Sequence, residues 1–331
     1  MKRLRTFIRS WEALLVVLLL LTIILGSSLS PYFFSAFNFS SMVREFMEKA
    51  IMALPMTLII IAGEIDLSVA SILGLASAVL GATLNAGVPL WLGIIIALLV
   101  GVVAGLINGL LVTRLGLPSL VVTLGTLGLY RGMAFVVLGD QAFSNFPNAF
   151  TNFGFGNVPG TLIPWSLIVF VLLVVLFMGI LHRSWFGRQV YAIGNNREAA
   201  RFAGIRVTEI KLMLYILSGL LSALAGIILT ARFSSARADN AVGFELDVVT
   251  IVLLGGVNIF GGRGTLVGVI LSLFVIGMLR NALGLADVSG DVQNIVVGGL
   301  LIFSVLGPNI AQQIQTTLSR RRLAAGSSRH V

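Results

Sequence analysis

The chain has 331 residues, 57% of them hydrophobic and only 11% charged, with a mean hydropathy of +1.04 and a net charge of +9. Soluble domains carry about 25% charged residues, so a water-soluble globular protein is excluded. There is no cysteine, and the only histidines are His182 and His330, which removes disulfide frameworks and the thiolate or imidazole sets of transition-metal sites.

Ten apolar segments follow one another along the chain, at about residues 12–30, 42–62, 68–86, 90–112, 117–138, 162–181, 211–231, 245–260, 265–285 and 292–310. About 20 apolar residues cross a bilayer as a helix, so the predicted fold is all-α: one polytopic membrane domain of about ten transmembrane helices. Pro31, Pro89, Pro118, Pro159 and Pro164 fall at or near segment ends, where a missing N–H costs least, whereas Pro55 falls inside segment 2 and predicts a kink there. The first 30 residues also fit a cleaved signal peptide, with a basic start, an apolar core and Gly26-Ser27-Ser28. Retention as a membrane anchor is the simpler reading, because removing one span puts a basic end on the wrong side.

Lys and Arg set the orientation, since cytoplasmic loops collect them. With the N-terminus inside, the cytoplasmic parts hold Lys2, Arg3, Arg5, Arg9, Arg114, Arg183, Arg188, Arg197, Arg201, Arg206, Lys211, Arg263, Arg320, Arg321, Arg322 and Arg329, which is 16 of the 22. The connection 139–161 has none and belongs outside. Both termini are then cytoplasmic. In this setting the net positive charge reports orientation rather than nucleic-acid binding.

Three polar islands interrupt the apolar runs. The first is Gly63-Glu64-Ile65-Asp66-Leu67-Ser68. Carboxylates beside a membrane segment are costly unless they reach water or a partner. Either Asp66 or Ser68 caps the next helix, or the stretch is a broken helix lining a pathway, with Thr123, Thr126 and Asn258 as further polar candidates. The second island, Tyr191–Ile205, predicts a short helix over Arg197–Ala203, capped by Gly194, Asn195 or Asn196 and ended by Gly204. Its small face of Ala199, Ala200 and Ala203 permits close approach to a partner; an ordinary basic loop is the alternative. The third island, 255–264, echoes the first. At an offset of 192, Ile59–Gly63 aligns with Ile251–Gly255 and Asp66 with Asn258, which suggests an internal duplication. Gly101, Gly105 and Gly109 leave a groove in segment 4 for close helix packing. In the connection 232–247, Glu245 and Asp247 fall in the first turn of segment 8 and suit its helix dipole; alternatively Arg237, Asp239, Glu245 and Asp247 dock an extracytoplasmic protein.

No Gly-x-x-x-x-Gly-Lys-Ser/Thr loop is present, and none of Lys2, Lys49 and Lys211 follows a glycine-rich turn, so the P-loop route to ATP is absent. His-Glu-x-x-His is absent too. No enzyme is visible.

These motifs together resemble the permease subunits of ribose-type ABC sugar importers. The resemblance covers nearly the whole chain: GEIDLSVA at Gly63–Ala70, LPSLVVTLGTLGLYRG at Leu117–Gly132, GNNREAARFAGI at Gly194–Ile205, and GFELD with LLGGVNIFGGRGTLVG within Gly243–Gly268. Glu64 departs from a frequent Gly, and Val257–Phe260 is closer to the rhamnose and autoinducer-2 branches. The resemblance implies a bacterial inner-membrane protein carrying a small sugar by alternating access. It implies a loop at Gly194, Asn195, Glu198, Ala199, Ala200, Gly204 and Ile205 that couples to a cytoplasmic ATPase, so that ATP is bound by the partner and no cofactor by this chain. It further implies an extracytoplasmic sugar-binding protein and a second permease subunit, identical or not. The competing class is a secondary transporter coupled to protons or sodium, which needs carboxylates deep in the membrane; a membrane scaffold is the third.

Overall fold

The computed structural model describes residues 11–303 and residue 306, and its regular structure there is helical apart from isolated bridges. The helices are α1 (Trp11–Leu29), α2 (Ala36–Ile61), α3 (Val69–Asn85), α4 (Leu90–Thr113), α5 (Ser119–Leu138), α6 (Asn148–Phe155), α7 (Trp165–Met178, continued by a π turn Gly179–Arg183), α8 (Trp185–Asn195), α9 (Arg197–Phe202), α10 (Val207–Phe233), α11 (Phe244–Leu254), α12 (Leu266–Leu285) and α13 (Gly290–Phe303). The basic termini and the end of the tenth expected segment lie outside the described residues.

Each expected segment holds a helix, but the helices are not equal. Six are long and apolar enough to cross a membrane: α1, α4, α5, α7 with its π turn, α10 and α12. The helices α3 and α13 are apolar but shorter. The first half of α2 carries Arg44, Glu45, Glu48 and Lys49, and α11 has only 11 residues. The tenfold count is therefore approximate, and the chain is a polytopic all-α membrane protein. Three helices fall in stretches read as connections: α6 and α8, which were not expected, and α9, which was.

The centre of the bundle is the apolar half of α2, buried from Ala50 to Ile61. It stays helical through Pro55. Helix α4 packs on α10 through its glycines. A Cβ at Gly101 would lie 2.4 Å from the Gly219 carbonyl oxygen, and one at Gly105 would lie 2.2 Å from that of Tyr215. In lipid there is no hydrophobic drive between helices, so backbone approach of this kind supplies the attraction. The groove predicted in segment 4 is thus filled from within the subunit.

The two glycine turns close in the same way, one residue out of the register read in sequence. At the end of α2, Gly63 N–H donates to Ile60 O and Glu64 N–H to Ile59 O; at the end of α11, Gly256 N–H donates to Leu253 O and Val257 N–H to Val252 O. Gly63 and Gly256 both have positive φ, +79° and +85°. These bonds pair Gly63 with Gly256, an offset of 193, rather than with Gly255; the same closure ends α3 at Gly87 and α9 at Gly204, so it does not by itself mark a repeat. The offset of 192 returns one turn later. Asp66 accepts from the Ser68 N–H, as Asn258 does from the Phe260 N–H. The second turn is one residue shorter between its left-handed glycine and its Asx turn.

Candidate coupling and transport sites

The two glycine turns touch each other. Gly262 N–H donates to Ile61 O at 2.8 Å, and Gly261 lies against Gly63. Helix α8 seats on this junction. A Cβ on Gly194 would lie 1.8 Å from Ile61 O and 2.5 Å from Gly262 N, so only glycine fits. Tyr191 donates its hydroxyl to Gly264 O at 2.7 Å, and the Asn195 amide reaches Tyr191 O and Gly262 O. Gly194 and Asn195 were expected to begin the exposed helix; they instead end α8 and hold it to the body of the protein.

The exposed helix is α9. Asn196 caps it, its side chain accepting from Ala199 N–H at 2.9 Å. Gly204 follows with φ +82°. Arg197, Glu198, Ala199, Arg201 and Ala203 are exposed, but Ala200 is buried against the chain itself, and Ile205 is half-buried. The small face is therefore split. The most prominent side chain is Phe202, 89% exposed, which the sequence pattern did not single out. A bare aromatic next to charged residues on a six-residue helix was its available signal.

Beside the junction, Glu64 pairs with the buried ammonium of Lys211 from α10. Asp66 is fully buried and accepts from Ser68 N–H (3.0 Å), Ser68 Oγ (2.6 Å) and Ser218 Oγ (2.8 Å). The chain of bonds continues: Asn108 Nδ2 donates to Ser68 Oγ, and Tyr130 donates its hydroxyl to Ala104 O and Asn108 Oδ1. The bond from Ser68 N–H makes Asp66 the head of an Asx turn just ahead of α3, and Ser68, the N-cap position, makes no side-chain cap. Thr123 donates to Ser119 O and more weakly to Ile65 O, and Thr126 lies one turn on, both buried. Thr123 reaches the 63–68 turn through Ile65 O, whereas Thr126 bonds only back to Thr123 O within α5. Asn108, Tyr130 and Ser218 complete the network; they were legible only as isolated polar residues inside apolar runs.

At the far end of the bundle, Arg237 and Asp239 form an exposed bidentate pair at 2.8 and 3.0 Å. The hydrogen bonds from Arg237 hold the Asp239 carboxyl below the usual carboxylate range. Glu245 is half-buried at the start of α11. Asp247, expected on the same docking surface, is not there. It is 6% exposed and bound to Lys49 Nζ and Arg280 Nη2, both at 2.6 Å. Arg131 crosses from α5 to the carbonyls of Ala238 and Asn240, which ties the 234–243 segment down. No group of side chains among the described residues could hold a metal.

A family model described as "Branched-chain amino acid transport system / permease component" matches residues 38–305. The chain belongs to this permease family. The ribose import permease protein RbsC of Bacillus subtilis is 40% identical over 290 residues, 87% of this chain and 89% of its own length. The autoinducer 2 import system permease protein LsrD is 35% identical in Klebsiella pneumoniae over 308 residues, 91% of this chain and 92% of its own. The LsrD of Escherichia coli K12 is likewise 35% identical, over 94% of this permease and 96% of its own chain. No solved structure matches the permease. These relatives are transporter permease subunits, a family that is not enzymatic.

Proposed function

We propose that this permease is the transmembrane subunit of an ATP-driven importer for a small sugar, a monosaccharide such as ribose or rhamnose or an autoinducer-2-like molecule. The observation that carries the reading is α9: a capped, exposed helix with Phe202 at its tip, mounted through Gly194 directly on the junction of the two glycine turns. A short rigid helix with an exposed aromatic suits a groove on a cytoplasmic ATPase, where buried aromatics carry much of the binding energy. Motion of that groove is delivered to Ile61 and Gly262, where the two turns meet. The relatives named for ribose and autoinducer 2 import supply the substrate class.

In this reading both termini and the α8–α9 loop are cytoplasmic, and the protein is a multi-pass component of a bacterial inner membrane. An extracytoplasmic binding protein docks near Arg237, Asp239 and Glu245, where charge complementarity selects the partner and speeds encounter. A second permease subunit, identical or homologous, completes the pathway. ATP binding brings the ATPase pair together, α9 moves with it, and the pathway exposes its other side. Glu64, Asp66, Ser68, Thr123, Thr126 and Asn258 rearrange at the turns rather than grip the sugar. An unmet buried polar group costs about 1–3 kcal/mol, so a lining poor in fixed partners favours release and leaves selectivity to the binding protein.

Two measurements test this. Co-expressed with the ATPase from its own transport operon, the permease should co-purify with it and take up [14C]ribose or a labelled congener in proteoliposomes only with ATP and binding protein. A reporter fused at Lys211 should read cytoplasm and one in Asn145–Asn157 the outside. ATP-independent uptake, or the reverse reporter pattern at both positions, refutes the proposal.

A further inference from the structure

The helix α11 is an anomaly among the ten expected spans. Its 11 residues rise only about 16 Å, half of a hydrocarbon core of about 30 Å. A helix this short is not positioned by the two membrane surfaces, so its ends must be held by protein, and both are.

At the loop end, Trp11 Nε1 donates to Leu254 O at 2.7 Å, and Gly255 abuts the backbone of α12 so closely that a Cβ would lie 2.6 Å from Val269 Cα. The turn that follows is the one hydrogen-bonded to Ile61 and pressed against Gly194 of α8. At the other end, the Asp247 carboxylate is gripped from two helices. Lys49 of α2 takes one oxygen and Arg280 of α12 the other, and Arg280 also reaches Asn294 on α13. The Lys49 ammonium lies 4.3 Å from the Phe244 ring, which closes the apolar side of the grip. Just before α11 comes the 234–243 segment, pinned by Arg131 and by the Phe143–Ala236 bridge, with Arg237 and Asp239 exposed on it.

We infer that α11 is the rod that joins the coupling loop to the opposite mouth of the permease, and that Asp247 is its positioning residue. Displacement of α8 and α9 reaches the 255–265 turn, passes along one rigid helix, and arrives at the 234–243 segment. The two-cation grip on Asp247 makes the far end of the rod move with α2 and α12 instead of slipping past them. The inference rests on the reading of α9 as the ATPase contact.

The test uses the whole importer, permease with ATPase and ribose-loaded binding protein, in nanodiscs. Wild type is compared with Asp247→Asn, Asp247→Glu and Lys49→Met, which leaves Arg280 on the carboxylate. Three quantities are read: ATPase retained, basal ATP hydrolysis, and stimulation of hydrolysis by ribose-loaded binding protein. The rod predicts that Asp247→Asn and Lys49→Met keep the ATPase and basal hydrolysis but lose stimulation by about 5-fold or more, the low end of allosteric coupling factors. Asp247→Glu, which keeps the charge, should recover part of it. Wild-type stimulation in both weakened variants refutes the inference. Loss of basal hydrolysis and stimulation in parallel with retained ATPase also refutes it, because that is what a residue needed only for folding would give. If wild type itself fails to retain the ATPase, the reading of α9 falls, and the rod falls with it.

Discussion

Replacing Gly194 by alanine adds one methyl group at the point where α8 meets both glycine turns. That methyl would sit 1.8 Å from Ile61 O and 2.5 Å from Gly262 N, while real Cβ contacts essentially never fall below 3.0 Å. The obstacles are backbone atoms, so no side chain can rotate away. They are also the two partners of one hydrogen bond, Gly262 N–H to Ile61 O at 2.8 Å, so separating them breaks the contact between the turns. Overpacking costs about 1–3 kcal/mol and a lost hydrogen bond about 1 kcal/mol. Gly194→Ala is therefore expected to destabilise the permease by about 2–4 kcal/mol. Unfolding by SDS titration in mixed micelles reads the loss, and ATP-driven uptake at matched membrane abundance reads the coupling. Gly125→Ala is the control: the glycine is helical with open space beside it, so alanine should be neutral or stabilising by up to about 1 kcal/mol. Equal stability and uptake in Gly194→Ala and wild type would refute the seating of α8 on the junction.

Three further substitutions separate holding from contact. Asp66→Asn keeps one acceptor for Ser68 N–H and should insert and transport, whereas Asp66→Ala strands Ser68 and Ser218 and should cost about 1–3 kcal/mol; an inactive Asn variant at full abundance would mean the charge itself works in transport. Glu64→Gln leaves the buried Lys211 ammonium without its carboxylate and should cost about 3–5 kcal/mol, measured in the same SDS titration, with Glu64→Leu plus Lys211→Met recovering most of it. Phe202→Ala should leave stability within about 0.5 kcal/mol, since the ring is exposed, while weakening ATPase association by about 2 kcal/mol in a titration by fluorescence anisotropy.

The apolar runs located every expected membrane helix because burial in lipid demands long uninterrupted hydrophobic stretches, a signal that needs no tertiary knowledge. The same rule misjudged α11. Residues 255–260 continue the apolar composition of the helix, but Gly256 and Asn258 bend the chain away. Composition reports solvent, not direction. The likeness of Ile59–Gly63 to Ile251–Gly255 was legible, yet the register of the two turns was not, since two adjacent glycines let residue identity align one way and positive φ the other. Asn196 and Gly204 were readable as a cap and a helix stop because those roles are local. Gly194 was not readable as a packing glycine, because the carbonyl it meets belongs to Ile61. Asp247 was misplaced for the same reason: in sequence it is a first-turn acid, and only the approach of Lys49 and Arg280 makes it a buried grip.

Six cations do not fit the cytoplasmic set: Arg44, Lys49, Arg131, Arg232, Arg237 and Arg280. If they were free, they would weaken the basic-residue bias. Each is instead engaged. Arg44 donates to Phe155 O and Ser40, Lys49 and Arg280 hold Asp247, Arg131 holds Ala238, Asn240 and Ala70, Arg232 holds Glu48, and Arg237 holds Asp239. Cations used as structural pins say nothing about which side of the membrane retained them; Lys211, held by Glu64, drops out by the same rule, and the other 15 carry the proposed orientation. The same pairing weighs against ion-coupled secondary transport. Its requirement, a carboxylate deep in the membrane, is met by Glu48, which is fully buried in α2. A coupling acid must release its partner once per cycle, but breaking a buried ion pair costs about 3–5 kcal/mol. The Arg232 guanidinium lies 2.8 Å from Glu48 and is stacked at 4.2 Å on the Phe233 ring, at the end of the helix that also carries Lys211 and Ser218. Glu48 is thus fixed at one end of α10 as Glu64 is fixed at the other, so two ion pairs tie α10 to α2 and to the turn that follows it, and neither acid is free to shuttle an ion without breaking one of them.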